Sequence, residues 1–317
     1  MTRPDDSLLD ADQLACVQRH ADKLLREASA VGRFPTPIDD ILAAAKVTVV
    51  DDEILNESML RRFVNKAKLG LSNVKMALSK VLGLFEATER LVVIDKNAPK
   101  PRIPFIKLHE AGHGSMPHQT KMYQLMHDCE KTLDAEIGDL FEREANVFAS
   151  EVMFQGEAFS AEAHSQSFSI RVPMKLAKKY GGSNYATFRR YVITNPNGCC
   201  VVVLEEPVYT EDDEFSHAEV RRVVASTSFE KMYDCKLLAK TVTDAHPVRG
   251  AVPGKGKRMS FQREVLLTDR NGDERVCNAE AFNTGHQTLI LIKDVAARTS
   301  SGILLPGTAL KRVAGRF

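Results

Sequence analysis

Residues 91–113, LVVIDKNAPKPRIPFIKLHEAGH, decide how this chain is read. The opening run Leu91, Val92, Val93, Ile94 is apolar and rich in β-branched residues, so it predicts a strand. Prolines at 99, 101 and 104 then break the chain, and a helix beginning at about 103–105 should run through His109-Glu110-Ala111-Gly112-His113. On a helix, positions i and i+4 share one face about 6 Å apart, so His109 and His113 can offer imidazole nitrogens to a single cation. Zinc favours imidazole nitrogen, and three protein ligands leave a fourth position open to water. Coordination lowers the pKa of that water toward ~7, and Glu110 beside the pair can take its proton and pass it to a leaving amine. The competing reading of so short a pattern is a hydrogen-bonded or solvated histidine pair on an ordinary helix. A third ligand decides between them.

A metzincin would place Gly and His where this chain has Met116 and Gln119, and His118 falls one residue short, so that solution fails. The other common solution is a carboxylate from a second helix. Leu133, Ile137, Phe141, Ala145, Phe148 and Val152 recur every three or four residues and predict a long buried helix carrying Glu136, Asp139, Glu142, Glu144 and Glu151. Gly138, Ala145, Asn146 and Ala149 surround Glu142 on a small-residue face where two backbones can approach. Leu140, Phe141, Val147 and Phe148 surround Glu144, and the mean apolar direction of the helix lies nearer Glu144. Periodicity alone leaves both carboxylates in play, along with the plain alternative that both are solvated.

Outward from this centre, residues 11–31 have helical periodicity closed by Gly32. PTPIDDILAAAKVTVV (35–50) reads as a break, a short helix over 38–45 and a strand over 47–50. A helix is expected over 57–82, a strand hairpin over 85–95 and a polar connection over 117–131. Two short helices, 172–180 and 184–192, flank Gly181-Gly182-Ser183 and have the look of a helix-turn-helix, with Lys175, Lys178, Lys179, Arg189 and Arg190 on or near exposed faces. The texture changes near 195: CCVVVLEEPVY, REVLLTDRNGDERV and TLILIKDV are strand-like, and Asn271-Gly272 is a hairpin signal. The glycine-containing basic stretch 249–258 reads as an exposed loop. No internal repeat is present.

With 317 residues, 44% of them hydrophobic, and 43 basic against 42 acidic side chains, the chain has room for about two ordinary globular domains. A formal charge of +1 supplies no global attraction to nucleic acid or anionic membrane. No run reaches the ~18–20 apolar residues of a membrane span, and the acidic N-terminus is unlike a signal peptide, so a cytoplasmic location is expected. The six cysteines form no C-x-x-C pair, which predicts free thiols and no cysteine zinc site.

The strand, proline loop and HEAGH helix, followed by FEREANVFASEVMF (141–154), resemble the ImmA/IrrE family of metallo-endopeptidases, as does the lead-in 35–50. The likeness spans roughly residues 35–192. Joined to the readings above, it gives an expected α+β fold: an N-terminal helix (1–34), a minimal zincin-like catalytic domain (35–165), a helix-turn-helix-like extension (166–194) and, from the strand texture alone, a β-rich C-terminal domain of unknown role (195–317). It also implies Zn2+ held by His109, His113 and Glu142, with Glu110 as general base and acid. Asn146 falls on the signature asparagine, where it would orient a ligand. The signature helix departs from the family's Leu-Met-Pro-type ending at Met153-Phe154-Gln155. Strand 91–94 is either the sheet edge that receives an extended peptide or a plain central strand. Tyr123, His118 and His127 are candidate oxyanion donors. The expected partner is a protein substrate, a helix-turn-helix transcriptional repressor whose cleavage relieves repression in stress response or mobile-element control. The alternative is a non-proteolytic metal-binding regulator that binds a repressor or DNA.

Overall fold

A computed structural model describes residues 9–52, 83–86, 90–95, 98–128 and 135–295. The helix expected over 57–82, as well as Cys129 and Leu133, lies outside these. Helix α1 (Ala11–Glu27) starts with a capping box in which Asp10 and Gln13 each accept from the other's backbone N–H. Its buried stripe of Val17, Ala21, Leu24 and Leu25 joins the main core. After the proline break, α2 (Ile38–Ala44) leads into β1 (Thr48–Asp52). A hairpin of β2 (Gly83–Glu86) and β3 (Leu91–Asp95) completes a three-stranded sheet in the order β1-β3-β2, with β1 parallel and β2 antiparallel to β3. Strand 91–94 is therefore central, with both sides occupied by neighbouring strands, and an incoming peptide cannot pair with it. Among the described residues the edges of this sheet are β1 and β2.

Helix α3 (Ile103–Ser115) begins at Ile103-Pro104, where the proline lacks only a donor that the first turn would leave unused. The polar connection expected over 117–131 is instead largely helix α4 (Pro117–Asp128), again opened by a proline at its first position. Its residues are polar because of what they bond, as Gln119 shows below. Helix α5 (Ala135–Phe154) is the long helix that the periodicity predicts, although Ile137 near its start is exposed. Gly112 explains how closely α3 and α5 pack: a Cβ there would lie 3.0 Å from the Phe148 ring. The C-terminal end of α5 is tied to the N-terminal segment by Thr36 Oγ1, which donates to the carbonyl of Met153 at 3.1 Å, and by Gln155 Nε2, which donates to the carbonyls of Ala30 and Arg33 at 3.0 Å.

Helices α6 (Glu157–His164), α7 (Arg171–Tyr180) and α8 (Asn184–Ile193) follow, with Gly181 in the left-handed conformation that ends α7. Strands β4 (Cys199–Leu204), β5 (Val208–Tyr209), β6 (Phe215–His217) and β7 (Val220–Ala225) come next, then helices α9 (Thr227–Met232) and α10 (Cys235–Leu238) and strands β8 (Met259–Thr268), β9 (Glu274–Asn283) and β10 (Thr288–Asp294). Five of these strands form an antiparallel sheet in the order β7-β4-β10-β9-β8, and β5 and β6 pair separately. The unbroken apolar run of β4 is buried along its whole length because both faces are covered. Cys199, Val201 and Val203 join the core of the helices, and Cys200, Val202 and Leu204 join a second core with Phe229, Tyr233 and Leu238. The fold is α+β.

Candidate metal centre

Two matched helical spacings build the site. On α3, His109 and His113 lie one turn apart; on α5, Glu142 and Asn146 do the same, and the close approach at Gly112 brings the two faces together. Nε2 of His109 is 3.3 Å from Nε2 of His113 and 3.2 Å from Oε2 of Glu142, and Nε2 of His113 is 3.6 Å from Oε1 of Glu142. Three ligand bonds of about 2.0–2.1 Å in tetrahedral directions would separate their donor atoms by about 3.3 Å. The two imidazole nitrogens and the Glu142 carboxylate, which meets them through different oxygens, lie close to that spacing, and among the described residues they are the one cluster of three such side chains. The carboxylate nearest the histidines is thus the small-face candidate, Glu142. Its side chain is 59% exposed, so the site faces solvent on that side.

The imidazoles are held from behind. Nδ1 of His109 lies 3.1 Å from Oδ1 of Asn146, and Nδ1 of His113 lies 2.7 Å from Oε1 of Gln119. Nε2 of Gln119 donates to Oε2 of Glu144 at 2.6 Å and to the Phe141 carbonyl at 3.4 Å, and His118 Nε2 lies 2.7 Å from the same Glu144 oxygen. Glu144 itself is buried, which accounts for the apolar direction pointing toward it: the helix buries a carboxylate that supports the site beside the one that faces it. Gln119 was not singled out by the sequence. Its one signal is that a polar residue follows a helix-starting proline, and that signal is generic.

The charges suit a cation. Burial disfavours a charged His109, but the hydrogen bond with Glu142 and the negative charges of Glu110 and Glu142 outweigh it and hold its pKa above the ordinary imidazole value. Burial, and then the charge on His109, push His113 below that value, so it is neutral and able to ligate. Burial would raise Glu142, yet its hydrogen bond to His109 and the neighbouring histidine charges hold it below the usual carboxylate range. A metal ion would take over the role of the His109 proton. Glu110 is buried next to His109.

Other expected positions fall elsewhere. His118 is engaged by Glu144, while Tyr123 and His127 lie on α4 with side chains outside the described set. In the α7–α8 pair, Arg190 does not face solvent: it makes a buried ion pair with Glu151 of α5 at 2.6 Å. Lys179 pairs with Glu162 at 2.7 Å. Val172, Leu176, Ala177 and Tyr180 bury the face of α7 against the core. The stretch 249–258 is an exposed loop only in its second half, because Ala251 and Val252 are buried in the second core. The described cysteines, Cys16, Cys199, Cys200, Cys235 and Cys277, are free thiols. No described helix is long and apolar enough to cross a membrane.

Residues 64–190 match the profile of the family described as IrrE N-terminal-like domain, Peptidase_M78, a metal-dependent peptidase family. No curated protein matches. Among solved structures, a Mycobacterium tuberculosis transcriptional regulator superposes with a TM-score of 0.48 at 13% identity, covering 92% of this chain and 80% of that one.

Proposed function

We propose that this chain, whose residues 64–190 match the IrrE N-terminal-like family model, is a cytoplasmic zinc-dependent endopeptidase that cleaves a helix-turn-helix transcriptional repressor. The observation that carries this reading is the clustering of His109, His113 and Glu142, with the buried Glu110 carboxylate beside it. These three side chains would hold the ion. When bound, zinc supplies Lewis acidity to a scissile carbonyl and acidifies water. Glu110 removes a proton from the attacking water and returns it to the nitrogen of the departing amine. Asn146 Oδ1, 3.1 Å from Nδ1 of His109, would orient that ring. The backbone of β2, an edge among the described residues, is a place for an extended peptide to add by main-chain hydrogen bonds.

The test combines metal analysis with turnover. Purified protein is expected to hold one zinc per chain, and Glu110→Gln should keep the metal while losing about 10²–10⁴-fold in hydrolysis of the repressor. Absence of stoichiometric zinc under metal-replete conditions would overturn the metal site. Metal-loaded protein that binds the repressor without cutting it would overturn the peptidase reading in favour of a regulator.

A further inference from the structure

We infer that Gln119 and Glu144 are positioning residues that set the tautomer of His113, so that its Nε2 is bare and faces the metal position before any metal arrives. The inference rests on the metal-site reading above and extends it to two side chains outside the ligand triangle. The argument follows from which atoms can donate. The amide of Gln119 makes its two oxygen contacts on one side, to Oε2 of Glu144 at 2.6 Å and to the carbonyl of Phe141 at 3.4 Å, beside a longer one to Sδ of Met116 at 3.8 Å. A carboxylate and a main-chain carbonyl both accept, so the atom facing them must be the NH2 group. The opposite end of the amide is then Oε1, which can only accept, and it lies 2.7 Å from Nδ1 of His113. Nδ1 must therefore carry the hydrogen. A neutral imidazole has one N–H, which leaves Nε2 with a free lone pair. That nitrogen lies 3.3 Å from Nε2 of His109 and 3.6 Å from Oε1 of Glu142, on the side where the ion would sit.

Glu144 is the origin of this order. An amide can be turned by 180° at little steric cost, so only the chemistry of its neighbours distinguishes its two ends. The second donor on Glu144 Oε2, Nε2 of His118 at 2.7 Å, helps keep the carboxylate where Gln119 needs it. The direction of control runs from α5, through α4, to the ligand on α3.

The experiment is a nitrogen-15 NMR measurement of the His113 ring in the metal-free protein, paired with zinc affinity from chelator competition. Wild type should show the Nδ1–H tautomer at His113. Glu144→Gln, which lets the Gln119 amide flip, should give a mixture of tautomers, and Gln119→Met should lose the preference. Zinc Kd should rise about 10–100-fold in Gln119→Met and by a smaller factor in Glu144→Gln. An Nε2–H tautomer in metal-free wild type would overturn the inference without any variant having to fold. So would a Kd in folded Gln119→Met within about twofold of wild type. A wild-type chain that takes up no zinc but shows the Nδ1–H tautomer would sink the proposed function and leave the positioning role standing.

Discussion

The α3–α5 region and the C-terminal sheet both bury polar groups, but they satisfy them over different distances. Glu144 on α5 is bonded by two residues of α4, and Gln119 carries the connection on to α3, so three helices must all be in place for any member to be satisfied. In the sheet, Asp269 at the β8–β9 turn accepts from the N–H groups of Asn271 and Asp273 and from Nε of Arg275, all within six residues of itself. The thiols there stay chemically quiet, because burial pushes Cys199 up to about 12 and Cys277 to about 11. Polar networks that cross elements fix how those elements sit together; polar clusters that close on themselves shape a turn.

Four substitutions grade this contrast. Glu142→Ala removes one corner of the ligand triangle and should abolish stoichiometric zinc binding with little loss of fold, as measured by metal content beside circular dichroism. Arg190→Leu strands the Glu151 carboxylate in a buried position and should destabilise the chain by about 3–5 kcal/mol in denaturant unfolding. A near-neutral result would show that the α5–α8 link is incidental. Gly112→Ala places a methyl group 3.0 Å from Phe148, and overpacking of this kind costs about 1–3 kcal/mol. Because the strain falls between the two ligand-bearing helices, zinc affinity should fall in the same variant, whereas an unchanged affinity would mean that α5 gives way elsewhere.

The smallest effect belongs to the sheet. The hydrogen bond and charge of Arg275 hold the Asp269 pKa below its ordinary value. A depressed acid stabilises the folded state fully above its unfolded pKa of about 3.9 and loses that contribution as pH falls toward the folded value. Asp269→Asn should therefore melt a little below wild type at pH 7, with the gap closing below about pH 4. A gap that stays constant with pH would mean that the turn needs the shape of the side chain and not its charge.

Much of the α3–α5 region was legible because its signals are local. The i, i+4 histidines, the small face around Glu142 and the recurrence of apolar residues along α5 each need only a helix to be meaningful. Gln119 was not legible for the opposite reason: its role depends on Glu144 and His113 being brought to it by other helices, and PHQT has the composition of a linker. Arg190 misled in the same way, since a basic residue in a helical pair looks solvent-facing until Glu151, 39 residues earlier in the chain, is placed against it. Central or edge position for strand 91–94 was likewise undecidable, because a run of β-branched residues suits both. The β8–β9 hairpin, by contrast, turns where Asn271-Gly272 says it should, with Gly272 at φ 90°.

Strand β4 belongs to two interiors at once. Its odd-numbered side chains seal the helices and its even-numbered ones seal the second core. Were the chain cut at the exposed Pro196 and Asn197 just before it, two independent pieces would not be released. Each fragment would keep the other's greasy surface covered, and the severed chain would persist as a complementing pair, parting only when one of the fragments unfolds.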